Sequence, residues 1–145
     1  MEIVKLYEDS VLPTRAHEED AGLDLYAHLG GNNIVLEIKP HTTVKVDTGI
    51  AVAIPKGHMG LILPRSGVST KKSLANINAP GLIDCNYTGP VFVPLHNYSD
   101  EVQYVNNEDR IAQLVVAPYT KVELEVVEKL TETERGDGGF GSSGK

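Results

Sequence analysis

Hydrophobic and polar positions along most of this chain fall into short runs that change face at every residue, rather than every three or four. Ile3–Leu6, Leu23–Ala27, Ile34–Ile38, Thr43–Asp47 and Ile50–Ile54 read as strands, as do Met59–Leu63, Val91–His96, Val102–Val105, Ile111–Ala117 and Val122–Val127. In Val122-Glu123-Leu124-Glu125-Val126 the apolar and acidic residues take opposite faces, as in a half-buried strand. Turn-forming residues separate the runs at Leu29-Gly30-Gly31-Asn32-Asn33, Pro55-Lys56-Gly57 and Asn97-Tyr98-Ser99-Asp100. One segment, Val68–Ala75, suits a short helix beginning near Ser66. Many short strands with no long helical stretch predict an all-β sandwich, jelly roll or barrel. Free strand edges are a hazard in such a domain, and oligomerisation would cover them.

Composition narrows this picture. A chain of 145 residues is the size of one domain with a real core. A net charge of −7 argues against a general nucleic-acid binder, which carries a basic stripe, but leaves room for a free nucleotide held by a few local cations. The single cysteine, Cys85, forms no disulfide within the chain, which fits a reducing compartment. No apolar run approaches the ~18–20 residues of a membrane span, and the N-terminus lacks a signal-peptide pattern. The expected address is the cytoplasm, that of a host if the source is viral, with no membrane partner. Composition shifts once, near Thr131–Arg135, dividing a body of residues 1–134 from a strip of residues 135–145. That strip holds five glycines and two serines over Arg135–Gly144, too little apolar area to repay ordering it. Yet it carries Arg135 and Phe140, a forked cation and a planar ring. Glycine-rich backbone points N–H groups at anions, so the strip suits a closing lid over a nucleotide polyphosphate. Gly-Ser-Ser-Gly alone equally suits an unstructured tail or a cloning remnant.

Four segments of the body carry polar groups where strands or turns would expose them. Pro64-Arg65-Ser66-Gly67 follows a strand and opens the helix, where unpaired N–H groups favour phosphate. Ser66 as a plain N-cap and Arg65 as a surface cation is the alternative. Asn78-Ala79-Pro80-Gly81-Leu82-Ile83-Asp84-Cys85-Asn86-Tyr87-Thr88-Gly89 bends at both glycines. Asn78 there offers the donor–acceptor pair that reads a pyrimidine edge, Asp84 a carboxylate to hold a water, and Tyr87 a wall for a sugar. The plain alternative is a β-hairpin whose Asp84 and Asn86 make only turn hydrogen bonds. Cys85 reads as filler. Asp109-Arg110-Ile111-Ala112-Gln113 places Gln113 in an apolar run, where it must find a partner: another strand, a water or a phosphate. Ala21-Gly22-Leu23-Asp24-Leu25-Tyr26-Ala27 likewise buries Asp24, which calls for a cation or a metal-bound water. The histidines show no ligand spacing, and Lys71-Lys72 reads as a solvated helix face.

In their order and spacing these segments and the glycine-rich strip resemble the ordered motifs of the trimeric dUTPase family, over nearly the whole chain. The resemblance implies a jelly-roll-like β domain with a C-terminal lid, assembled as a homotrimer with active sites shared between subunits. It implies hydrolysis of dUTP to dUMP and pyrophosphate with Mg²⁺, which keeps uracil out of DNA and supplies dUMP. By likeness, Asp84 activates the water that attacks the α-phosphorus and Gln113 helps to hold it. Arg65, Ser66 and Gly67 would bind phosphates from a neighbouring subunit. Asn78 with the backbone of Gly81, Leu82 and Ile83 would read uracil, Tyr87 would pack under the deoxyribose, and Phe92 would make a peripheral contact. Asp24 would reach Mg²⁺ through water. The lid would stack Phe140 on uracil while Arg135, Gly141, Ser142 and Ser143 close over the γ-phosphate.

Two departures from the family pattern stand out. Glu108 sits where the family has glycine, which predicts strain of about 1 kcal/mol if that backbone has positive φ. Lys71-Lys72-Ser73 differs from the usual segment, altering the helix surface. The rival readings are a related dCTP deaminase, which needs a further carboxylate or histidine over the pyrimidine 4-position, and a regulatory protein whose tail engages a partner.

Overall fold

The structure is a computed structural model that describes residues 1–138. Its elements run β1 (Glu2–Lys5), β2 (Leu23–Tyr26), β3 (Val35–Ile38), β4 (Thr43–Ala53), β5 (His58–Leu63), α1 (Ser66–Lys72), β6 (Leu74–Asn76), β7 (Gly81–Ile83), β8 (Pro90–Asn97), β9 (Gln103–Asn106) and β10 (Arg110–Pro118). One four-stranded sheet has the order β1-β4-β8-β6 and the other β2-β10-β5-β7, while β3 and β9 form a two-stranded ribbon. Every pairing is antiparallel. Successive strands cross between the sheets, from β4 to β5 and from β7 to β8, which gives the jelly-roll-like arrangement.

Alternation explains the core. In β8, Val91, Val93 and Leu95 point inward while Phe92, Pro94 and His96 face out. They meet Leu25, Ile62, Ile83 and Leu114 of the second sheet across an apolar interior. Asn97, fully buried at the end of β8, donates to the carbonyls of Ile38 and Glu101, so the ribbon is tied to the sheet by a satisfied polar group.

Several expectations change. Thr43–Asp47 and Ile50–Ile54 are one strand, β4, whose pairing with β8 shifts register between Asp47 and Ala51, where Gly49 takes a φ of 67°. The helix stops at Lys72, because Ser73 adopts the left-handed conformation and Leu74–Asn76 joins β8 as β6. Asn78–Gly89 is not a hairpin: β7 pairs with β5 and β8 with β4 and β6, so the turn carries the chain from one sheet to the other. Val122–Val127 forms no strand. Its alternation finds no partner among the described residues, and Leu124 and Val126 are left 92% and 99% exposed.

Candidate active site

Two neighbouring strands build the first cleft. Asp24 on β2 and Gln113 on β10 are paired residues, and Gln113 is also opposite Leu63 at the end of β5. Asp24 is buried, so its carboxylate must be compensated. It accepts from Arg65 Nε at 2.6 Å on Oδ1, and from Arg65 Nη2 at 3.4 Å and Arg110 Nη1 at 3.1 Å on Oδ2. Arg65 Nη1 also donates to the Arg110 carbonyl at 3.3 Å, which fixes the guanidinium plane. The cation required near Asp24 is therefore a pair of arginines. Arg110 has no role in the sequence expectations, although its charge just ahead of the polar Gln113 is a signal for one.

Gln113 donates Nε2 to the Pro64 carbonyl at 2.9 Å, anchoring it at the strand-to-helix corner. Glycine at residue 22 leaves room for this placement, since a Cβ there would stand 2.5 Å from Gln113 Oε1. At that corner Arg65, with extended backbone, is the residue that caps α1, and no side chain caps the helix. Ser66 is the first helical residue rather than the N-cap, so its hydroxyl is left for another acceptor or donor. Gly67 faces open space: a Cβ there would meet nothing within 4 Å. Asp20, Asp24, Arg65, Ser66, Gly67 and Gln113 line a cleft of about 400 Å³ here. Lys72, expected to be solvated, is committed: Nζ donates to the Tyr104 carbonyl at 2.9 Å and pairs with Asp109 Oδ2 at 3.2 Å.

The second cleft, of about 240 Å³, lies at the opposite edge of the same sheet, beside β7. Asn78, Gly81, Asp84, Tyr87 and Phe92 all line it. Asp84 follows β7 directly and is exposed, as expected for a carboxylate leaving a strand end. A turn closed by Tyr87 N–H to the Asp84 carbonyl at 3.0 Å brings the tyrosine back over the cleft. Its hydroxyl donates to the Pro90 carbonyl at 2.9 Å, and its ring lies across Gly89, where a Cβ would stand 2.8 Å from Cζ. Gly81 similarly admits the Asn78 amide, whose Nδ2 is 3.2 Å from where a Cβ would be. Cys85 packs against the core. Its thiol, beside the Tyr119 hydroxyl, pushes the phenol above its ordinary range, with burial and the Asp84 charge adding to the shift.

Asp84 and Gln113, expected to hold one water together, thus line different clefts of the same chain. Arg135 lies in the exposed segment after β10, its Nε donating to the Gly138 carbonyl at 2.8 Å. Phe140, Gly141, Ser142 and Ser143 lie outside the described residues. Among the described residues no group of three His, Cys, Asp or Glu side chains is placed to hold a metal ion. Asp24 accepts three N–H donors. About four lone-pair sites on a carboxylate leave it one position for a metal-bound water. These residues fit a Mg²⁺ that arrives on a triphosphate with its own waters, not an ion caged by protein.

Comparisons with known proteins give the family. The dUTPase family profile matches residues 8–144. The deoxyuridine 5'-triphosphate nucleotidohydrolase of Corynebacterium glutamicum is 44% identical, covering 100% of this chain and 95% of its own length. That of Escherichia phage T5 is 42% identical over 97% of each chain. Among solved structures, a variant of the Staphylococcus bacteriophage 80alpha dUTPase with dUpNHpp superposes with a TM-score of 0.85 at 28% identity, covering 99% of this chain and 98% of that one. A variant of the dUTPase from phage phi11 of S. aureus, described with a structural Mg(II) ion, gives a TM-score of 0.75 at 27% identity, over 88% and 96% of the two chains. The chain belongs to the dUTPase family.

Proposed function

We propose that this chain hydrolyses dUTP to dUMP and pyrophosphate in a homotrimer whose active sites are shared between subunits. The observation that carries the reading is the division of the site: Arg65, Ser66, Gly67 and Gln113 line one cleft while Asn78, Asp84 and Tyr87 line another, at opposite edges of one sheet. A neighbouring copy unites them. The exposed, alternating Val122–Val127 segment, which pairs with no strand among the described residues, supports assembly too, since an unpaired strand-like segment can add to a sheet of another chain.

In the nucleoside cleft Asn78 and the backbone of Gly81, Leu82 and Ile83 hold the uracil edge. Tyr87, propped by Gly89 and Pro90, packs against the deoxyribose and leaves no room for a 2′-hydroxyl. Asp84 takes a proton from a water as its oxygen bonds to the α-phosphorus, and the bond from that phosphorus to the bridging oxygen breaks, releasing pyrophosphate. Phosphoanhydride hydrolysis needs in-line placement and charge neutralisation more than covalent chemistry. Arg65, Ser66 and Gly67 of a neighbouring subunit hold the phosphates, with the guanidinium oriented by Asp24. Gln113, fixed by Pro64, positions the water. Mg²⁺ bound to the triphosphate would neutralise its charge, with Asp24 touching one metal-bound water. Arg135, Phe140, Gly141, Ser142 and Ser143 close the site.

Pyrophosphate release from dUTP, dCTP, dTTP and UTP with Mg²⁺ tests the activity, and release from dUTP alone is expected. Asp84→Asn abolishes turnover while retaining dUTP binding; normal turnover by that variant removes the proposed mechanism. Sharing is tested by co-expressing Asp84→Asn with Arg65→Gln. Random assortment of two individually inactive chains rebuilds about a quarter of the sites if they are shared, and none if each chain holds its own.

A further inference from the structure

Among the described residues, Asp84 is the one charged residue lining the nucleoside cleft, yet the proposed ligand carries a polyphosphate. A second charge stands at the rim. Lys45 on β4 places Nζ 4.2 Å from the centroid of the Phe92 ring, and Phe92 lines the cleft. Sheet register brings them together. Lys45 is opposite Pro94 and Asp47 opposite Phe92, so all four share the outward face, while Val46 and Val93 point into the core.

This lysine is uncommitted. It enters none of the ion pairs formed among the described residues. The acid nearest on its face, Asp47, is already engaged, accepting from the Gly49 N–H at 2.8 Å and the Tyr7 hydroxyl at 3.4 Å. The ring therefore seats the ammonium without neutralising it. On a chain of net charge −7, a cation seated at the edge of the nucleoside cleft adds positive potential where the phosphate chain would leave that cleft.

We propose that Lys45, seated on Phe92, is a substrate-binding residue whose ammonium meets the phosphate chain of the nucleotide and offsets the repulsion from Asp84. This rests on the reading of the Asp84 cleft as the nucleotide site. Lys45→Met keeps an apolar stem against Phe92 and removes the charge alone. It raises KM for dUTP about three- to tenfold, with kcat falling less than twofold, as expected for one partly screened charge. The decline of kcat/KM with added salt becomes shallower. Lys45→Arg restores both, and Phe92→Leu, which removes the seat, gives a smaller rise in KM.

Binding of deoxyuridine, dUMP and the imido analogue dUpNHpp separates charge from structure. Lys45→Met weakens the two phosphate-bearing ligands and leaves deoxyuridine unchanged. Equal weakening of all three, or an unchanged KM and salt slope, overturns the proposal. Failure of the underlying reading shows elsewhere, in a wild-type chain that does not hydrolyse dUTP or an Asp84→Asn variant that does.

Discussion

Gly22→Ala is the sharpest test of how the fold sets up its chemistry, because it adds one methyl group to the wall of the first cleft, against the side chain proposed to position the water. The new Cβ would stand 2.5 Å from Gln113 Oε1 and 3.3 Å from Cδ. Ordinary contact begins near 3.4 Å, so about 0.9 Å must be found. The backbone of residue 22 is not in the left-handed region, so alanine itself fits. What yields is the far end of the glutamine, which gives up its bond to the Pro64 carbonyl. That bond is worth about 1 kcal/mol, and removing glycine freedom from the unfolded chain returns about 0.4–1 kcal/mol. Stability should therefore change by no more than about 1 kcal/mol, or within about 4 °C in Tm for a domain of this size. Turnover should not be spared: a displacement of about 1 Å in a water-positioning group costs on the order of 100-fold. Pyrophosphate release and calorimetry at one protein concentration measure both. If Gly22 acts through Gln113, Gly22→Ala adds nothing to Gln113→Ala in the double variant. Full turnover by Gly22→Ala, multiplicative losses in the double variant, or a Tm loss beyond about 10 °C would each refute the reasoning.

Tyr87→Ala removes the wall over the sugar, and UTP should then compete with dUTP far better; unchanged discrimination would mean that the 2′ position is read elsewhere. Asp9 accepts a 3.0 Å bond from the His28 ring, which holds its carboxyl below the ordinary 3.8. A lowered acid pKa stabilises the fold above the ordinary value and loses that effect as pH falls through the lowered one. The stability gap between the wild-type chain and Asp9→Asn, measured by urea unfolding, should therefore be full at pH 6 and close below pH 3.8. A gap that widens on acidification would contradict the sign.

Period-two alternation made the strands legible, because burial of one face is written into β8 residue by residue. It said nothing of which sheet a strand joins. β7 is too short to show alternation, and the turn from Asp84 to Gly89 looked like a hairpin because turn chemistry is local while strand partners are not. Val122–Val127 shows the same limit, since its pattern asks for a partner that the described residues do not supply. Candidate site residues stand out by order and spacing, but their grouping in space does not. Asp24 announced the need for a positive charge, and only the fold shows that Arg65 and Arg110 meet it, from positions far apart in sequence. Lys45 carried no signal at all, since the ring that seats it is on another strand.

The two departures from family pattern have one physical form. Glu108 has a φ of 66° and Ser73 a φ of 50°, so both place a side chain where glycine is at ease. At Glu108 the strain has no outlet. Its N–H donates to the Ala27 carbonyl at 2.8 Å, the Ala27 N–H returns to the Asp109 carbonyl at 2.8 Å, and Asp109 N–H closes the turn on the Asn106 carbonyl at 3.1 Å. None of these bonds uses the glutamate side chain, so Glu108→Gly should keep them all while removing about 1–2 kcal/mol of strain. The greater freedom of glycine in the unfolded chain takes back about 0.4–1 kcal/mol. A net gain of about 0.5–1 kcal/mol is expected, read as a higher denaturant midpoint with an unchanged slope. KM should stay as it is, because Arg110 is held in place by Asp24 and not by Glu108. A midpoint that falls would show that residue 108 is not strained. A midpoint that rises together with KM would show that the left-handed turn helps to aim Arg110, and that glutamate is kept there for the site rather than tolerated beside it.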